Sequence, residues 1–315
     1  MSPRAWVAFV VVSVIWGVPY LFIKVAVQEA SPMFVAWGRI TIAMVLVLPV
    51  AWRLGAFRGL RGRWPAVVAY AAFEIAIPFA LIPLGEQHVS SSLAAILISG
   101  VPLGVALLAL RFAPGERVTL RRGIGLLIGL TGVVTLMGIN VAGRVEELFG
   151  AACVLGATLC YAAAPIVVKR SLSDLDPLGT VAAGLTISAL ALTPFAILTW
   201  PARMPSASTL VALLVLGVLC TAVGLLLYFF LITEAGPSRA SIITYLNPAV
   251  AVVLGIVVLG ESVTPLLGAE LLLILAGSWL ATGGGLPPGT ARLVRPVLAR
   301  MRAQRSDVQC AAGEV

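Results

Sequence analysis

Histidine occurs once in 315 residues, at position 88, and cysteine four times. A single imidazole cannot supply the ligand cluster of a zinc or iron centre. Cys153, Cys160, Cys220 and Cys310 show no CxxC and no Cys/His spacing, so neither a disulfide framework nor a metal site is expected. Charge is scarce as well. Asp, Glu, Lys and Arg make up 11% of the chain, against about 25% in soluble domains, which excludes an ordinary water-soluble globule. No GxxxxGK[ST] phosphate loop is present, so nucleotide-driven work by this chain is not expected, and no other cofactor is implied. The in–out alternation of membrane barrel strands is also missing.

What fills the chain is apolar. Hydrophobic residues make up 60% of it, and the mean hydropathy is +1.08. Apolar runs recur at about 20 residues, the length of a helix that crosses a bilayer. The chain reads as an all-α integral membrane protein, with the lipid bilayer as a partner. Ten runs are counted: 5–27, 33–52, 66–87, 91–110, 123–140, 148–168, 178–199, 210–232, 239–259 and 266–286. Turn residues such as Ser31-Pro32, Asp176-Pro177 and Gly236-Pro237 mark their edges. The first run is too long for a signal-peptide core and lacks a cleavage pattern, so it is expected to stay as a helix.

The net charge of +8 would point to nucleic acid in a soluble protein. Here the basic residues sit in short loops between apolar runs, where they set topology instead, and no nucleic-acid partner is expected. With the N-terminus inside, the inner segments hold 17 of the 21 basic residues, and the outer loops hold two, Arg144 and Arg203. Both termini are therefore expected on the cytoplasmic side of the cell membrane. Residues 287–315 open with Pro287-Pro288, turn basic, and read as a flexible cytoplasmic tail.

The chain also repeats itself, at a spacing of 145 or 146 residues. Pro19 matches Pro165, Pro32 matches Pro177, Pro49 matches Pro194 and Pro102 matches Pro248. Lys24 matches Lys169, Gly132 matches Gly277, and Gly115-Glu116 matches Gly260-Glu261 with a Val-Thr after each. The shared order makes duplication the better explanation. Each unit holds five runs, an odd number, so the second copy starts on the opposite side of the membrane. The expected fold is ten transmembrane helices as two inverted five-helix repeats, residues 1–145 and 146–286. Inverted repeats let two related faces exchange, opening a central site to one side and then the other.

Five stretches carry a wider resemblance: "VIWGVPYLFIKVAV" (14–27), "SPMFVAWGRITIAMVLVLP" (31–49), "GEQHVSSSLAAILISGVPLGVALLAL" (85–110), "GERVTLRRGIGLLIGLTGVVTLMG" (115–138) and "ASIITYLNPAVAVVLGIVVLGESVTPLLGAELLLILAGSWLATGG" (240–284). Together they resemble EamA-type members of the drug/metabolite transporter superfamily, over about residues 5–285. The resemblance implies ten helices in two inverted halves and export of small metabolites or amino acids.

An ionisable group inside a span costs about 2.5–3.5 kcal/mol on insertion scales, so such groups face protein or a water-filled cavity. Lys24, Arg39, Glu74 and Glu270 qualify. Glu74 lies about 12 Å from the inner end of its span, near the midplane. It is the candidate for proton coupling, or for pairing with a cationic group of a solute; a neutral carboxyl packed between helices is the structural alternative. Lys24 and Arg39 lie toward the outer end, with Glu29, Glu86 and His88. These five form an expected outer gate or ion-pair network, unless they merely satisfy one another or snorkel to the interface. Glu270 reads as snorkelling or as capping the last span.

Proline marks a second kind of site. Pro19, Pro102, Pro165 and Pro248 are repeat-related pairs inside spans, and each removes a backbone donor. They are hinge candidates, with a static kink as the alternative. Trp16, Tyr20, Ser99, Tyr161, Tyr228, Tyr245 and Asn247 lie around these breaks, and with Glu74 they are the expected lining of a cavity for a small amphipathic solute. Gly125, Gly129, Gly132 and Gly277 read as close-packing positions.

The favoured function is a secondary transporter of small organic metabolites, working as an exporter by alternating access. Proton exchange is the natural energy source if Glu74 titrates, with facilitated diffusion down the solute's own gradient as the alternative. Two other classes stand beside it. A membrane-embedded enzyme on lipid or prenyl substrates would need paired carboxylates, a metal cluster or a nucleophile with a base, and the chain offers none of these. A non-transporting scaffold or sensor is the other.

Overall fold

A computed structural model describes residues 3–112, 120–140, 144–235, 243–262 and 264–281. Among these residues every regular element is helical and no strand occurs. The helices are α1 Pro3–Gly17, α2 Pro19–Ala26, α3 Pro32–Arg53, α4 Trp64–Tyr70, α5 Ile77–Glu86, α6 Ser91–Ile98, α7 Val101–Phe112 and α8 Leu120–Asn140. They continue as α9 Val145–Ser171, α10 Pro177–Leu198, α11 Ala207–Leu214, α12 Gly224–Ala235, α13 Ile243–Leu259 and α14 Pro265–Ala281. Two π-helical segments, Ala71–Ala76 and Val215–Val223, join α4 to α5 and α11 to α12 without a break.

Among the described residues six stretches are long and apolar enough to cross a membrane: Arg4–Ala26, Pro32–Arg53, Trp64–Glu86, Val145–Val168, Pro177–Leu198 and Ala207–Tyr228. Four shorter apolar helices accompany them, Ser91–Val105, Gly123–Thr135, Leu246–Leu259 and Pro265–Leu280. Large apolar side chains cover the outside, among them Val7, Leu190, Phe195 and Leu198. Such an apolar exterior suits lipid and not water.

The helices start where the sequence offers a cap. Ser31 accepts from the Phe34 N–H at the start of α3, and Asp176 from the Leu178 N–H at the start of α10. Ser90 and Ser206 do the same for α6 and α11. Where a helix breaks depends on the company its proline keeps. The chain breaks between α1 and α2 at Pro19, and between α6 and α7 just before Pro102. Yet α9 and α13 run on through Pro165 and Pro248. Gly17 and Gly100 stand two residues before the first two prolines, whereas Ala163 and Leu246 stand before the others. Proline removes one bond; a nearby glycine also removes the local preference for helix. The expected four paired breaks are therefore two, one in each of two first-half spans.

Lipid is as apolar as leucine, so close packing and polar contacts hold such helices together, not burial as in water. The packing here recurs at the repeat spacing. Gly17 of α1 lies against Val250 of α13, and their counterparts Ala162 of α9 and Gly104 of α7 also touch. Gly38 admits Leu213 beside α3, and Gly184 admits Tyr70 and Ile75 beside α10. Glu29 binds the start of α11 through Ser206 N and Thr209 Oγ1, both at 2.9 Å. Asp174, its counterpart, pairs at 3.1 Å with Arg63 at the start of α4. The helix pairs follow the same rule: α8 lies on α14, α3 on α10, α5 on α9 and α1 on α12. Glu270 belongs to the α8–α14 contact and is 1% exposed. It is thus held inside the protein; the expected snorkelling fails because its helix face is the one that packs.

Candidate functional site

Arg39 is the most enclosed cation among the described residues, at 4% exposure. Its Nη2 donates to Thr221 Oγ1 at 3.1 Å, and its guanidinium carbon lies 3.9 Å from the centre of the Phe79 ring. Thr221 belongs to the second π segment, and its hydroxyl donates to the Leu216 carbonyl five residues back, at 2.8 Å. The π turn thus orients the oxygen that receives Arg39. A desolvated cation over an aromatic face gains about 2 kcal/mol, which offsets only part of the cost of burying it. Among the described residues no carboxylate pairs with it directly. Tyr20, Tyr161, Cys220 and Glu86 are its electrostatic neighbours.

Glu74 sits in the first π segment, at the position that corresponds to the second one. Extra residues in a helical turn recur at functional sites because they re-aim side chains. Its side chain is half-buried, and it interacts electrostatically with Tyr70, Tyr161 and Tyr228. Tyr161 is also an electrostatic neighbour of Arg39, so both charges act on the same phenol. Trp16 Nε1 donates to the Cys220 carbonyl at 3.0 Å, and its ring lies 4.8 Å from that of Tyr228. Gly224 leaves the room this indole occupies.

The structure therefore brings Trp16, Tyr20, Glu74, Tyr161 and Tyr228 together with Arg39, from α1, α2, α3, α9, α12 and the first π segment. It does not bring in Ser99 or Asn247. Ser99 ends α6, is 2% exposed, and gives its hydroxyl to the Ile96 carbonyl at 2.6 Å. Asn247, with its amide nitrogen turned to donate, reaches the Ser13 and Ile243 carbonyls at 3.1 and 2.9 Å. The Tyr245 side chain lies outside the described residues.

The expected ion-pair network of Lys24, Glu29, Arg39, Glu86 and His88 does not form. Lys24 donates to two main-chain oxygens, of Glu86 at 2.6 Å and Val89 at 2.8 Å. Glu29 binds the start of α11, and these donors, Ser206 first, hold its carboxyl below the usual range. His88 sets its ring edge-on to Phe149 at 5.7 Å. Each group finds a nearer neutral partner or none, and depth alone does not bring charges face to face.

One polar contact was not legible at all. Glu261, in the turn between α13 and α14, accepts four hydrogen bonds at the start of α6. Ser91 N and Oγ reach Oε1 at 2.8 and 2.9 Å, and Ser92 N and Oγ reach Oε2 at 3.0 and 2.5 Å. Burial pushes this carboxyl up, but the serine donors together outweigh it and leave it below its ordinary value. Gly255 has no side chain where one would strike Glu261 and Ser92.

Apolar helices on the outside and ionisable groups between them define a multi-pass membrane protein. The chain belongs to the EamA-like transporter family, whose model matches residues 4–138 and again 148–283. It is thus a membrane transporter by family. An uncharacterized transporter of Archaeoglobus fulgidus is 26% identical over 280 residues, covering 88% of this chain and 98% of its own. The uncharacterized transporter YvbV of Bacillus subtilis is 27% identical, covering 85% of this chain and 87% of its own. The uncharacterized inner membrane transporter YedA of Escherichia coli is 26% identical, with coverages of 86% and 84%. A solved crystal structure matches at a TM-score of 0.62 over 88% of this chain and 96% of that one; at 20% identity the likeness concerns the fold alone.

Proposed function

We propose that the protein is a secondary transporter of small amphipathic metabolites, amino acids or related compounds, which exports them by alternating access. The observation that carries the solute class is the cluster of Arg39, Glu74 and the tyrosines. A cation and a carboxylate that both act on Tyr161 are complementary to a zwitterion, and the aromatic rings suit an apolar side chain. Glu74 is the coupling carboxylate in this reading, and Arg39 receives the solute carboxylate.

Alternating access follows from two inverted five-helix halves, 1–145 and 146–286, with ten membrane spans and both termini in the cytoplasm. Support comes from the contacts that recur at the repeat spacing and from the double family match. The bias of 17 basic residues against two supports the orientation. Lys24, Glu29, Glu86 and His88 act at the outer gate, and Pro19 and Pro102 as hinges.

The test is transport of labelled amino acids and related amphiphiles by purified protein in lipid vesicles, with and without a pH gradient. Movement of zwitterionic amphiphiles above protein-free vesicles is expected. If nothing in such a panel moves under either condition, the reading fails.

A further inference from the structure

Glu86 ends α5, and its side chain is wholly enclosed, at 0% exposure. Among the described residues neither carboxyl oxygen has a hydrogen-bond partner. An ionised carboxylate left in that state is among the costliest things a protein can bury. Cations are close, yet both are held elsewhere. Lys24 of α2 gives its ammonium to the main-chain oxygens of Glu86 and Val89. Arg39 of α3 is held by Thr221 and Phe79. The other titratable groups around Glu86 are Tyr20 of α2, Cys153 of α9 beside Gly85, His88 on the following turn, and Glu261 of the turn before α14.

We propose that Glu86 is a proton-binding site distinct from Glu74. It is protonated in the conformation described here, and loss of its proton draws the Lys24 ammonium off the two carbonyl oxygens and onto the carboxylate. The proton passes to water, the ammonium keeps its own three, and the site loses one positive charge. Lys24 already touches the main chain of the same residue, so the exchange takes side-chain rotation and no helix movement.

The exchange reaches the other half of the molecule. Lys24 ties down the turn from Glu86 to Val89, and that turn presents Ser91 and Ser92 to Glu261. A proton on Glu86 keeps Lys24 on the turn and the contact between α6 and Glu261 in register. Its loss frees the turn. The site would thus couple a proton to the opening of one end of the molecule, whatever the solute is.

The full-length protein in lipid vesicles is examined by infrared difference spectroscopy, titrated from acid to alkaline pH. A carboxylic-acid carbonyl band is expected at neutral pH, absent in Glu86→Gln and retained in Glu74→Gln. A band that survives in Glu86→Gln unchanged, or no acid band at neutral pH, overturns the proposal. Lys24→Gln provides a second arm should Glu86→Gln fail to fold. It keeps a donor for the two carbonyls and removes the charge, so the acid band should persist to higher pH by about one to three units. An unmoved midpoint overturns the proposal. Neither arm uses a solute, so failure of the transport reading and failure of this one are distinguishable.

Discussion

Gly132 and Gly277 stand 145 residues apart and make reciprocal contacts in one helix pair. A side chain on Gly132 would meet Ile274 and the Glu270 carbonyl; one on Gly277 would meet the backbone of Gly129 and the Gly125 carbonyl. Gly129 and Ile274 are themselves repeat mates, as are Gly125 and Glu270. Reciprocity of this kind is what a two-fold axis imposes on an interface. The two glycines still differ in what surrounds them. Gly277 faces main chain, which cannot yield. Gly132 has more room: its nearest neighbours, Ile274, Leu273 and the Glu270 carbonyl, stand 3.0–3.2 Å from where the side chain would begin, so a small shift suffices. Gly277→Ala is therefore expected to cost about 1–3 kcal/mol and Gly132→Ala less, read as thermal unfolding in detergent. Equal or reversed ranking would contradict the packing.

The apolar membrane helices were legible in the sequence because hydropathy is a property of each residue alone; the reading of a duplication rests on proline and glycine positions kept in order. The cluster was legible in part. Trp16, Tyr20, Glu74, Tyr161 and Tyr228 were found as polar or aromatic groups in apolar runs. Thr221 was not, because its role rests on a π turn, and "VLGVLCTAV" carries no mark of one. Nor were the partners of Lys24, since main-chain oxygens have no letter in a sequence. Glu261 and Ser91 are 170 residues apart, and nothing local in either names the other.

Glu261 makes the protein sensitive to acid. Its carboxyl sits below the ordinary 4.5 because the serine donors favour the charged form in the folded state. Such a group contributes stability that is present above its unfolded value and lost as pH falls through its folded one. Melting temperature measured at decreasing pH should therefore decline below 4.5. Glu261→Gln should be less stable at neutral pH and show a flatter acid limb. An unchanged acid limb in the variant would remove Glu261 as the source.

Thr221→Val tests how Arg39 is held. The substitution keeps the volume and removes the hydroxyl that receives Nη2. Hydrogen bonds to charged groups contribute about 1.5–3 kcal/mol, so transport efficiency is expected to drop by roughly tenfold to a hundredfold. Arg39→Lys should lose at least as much, since an ammonium cannot both stack on Phe79 and reach Thr221 in the same way. Wild-type efficiency in both variants would take Arg39 out of the solute site.

Glu74→Gln separates a coupling carboxylate from one that is merely packed. Glutamine has the shape of glutamate and no proton to give, so the variant should fold and insert as the wild type does. Glu74 is half-buried, with Tyr70, Tyr161 and Tyr228 as its electrostatic neighbours. Solute-driven proton movement, followed with a pH dye inside the vesicles, should fall sharply, and solute exchange should keep only the pH dependence that Glu86 supplies. Exchange at fixed pH should persist if Arg39 still anchors the solute, at an affinity reduced by roughly tenfold for the loss of one charged contact. If the variant keeps the wild-type pH profile, Glu74 carries no proton, and its place in the π segment is structural.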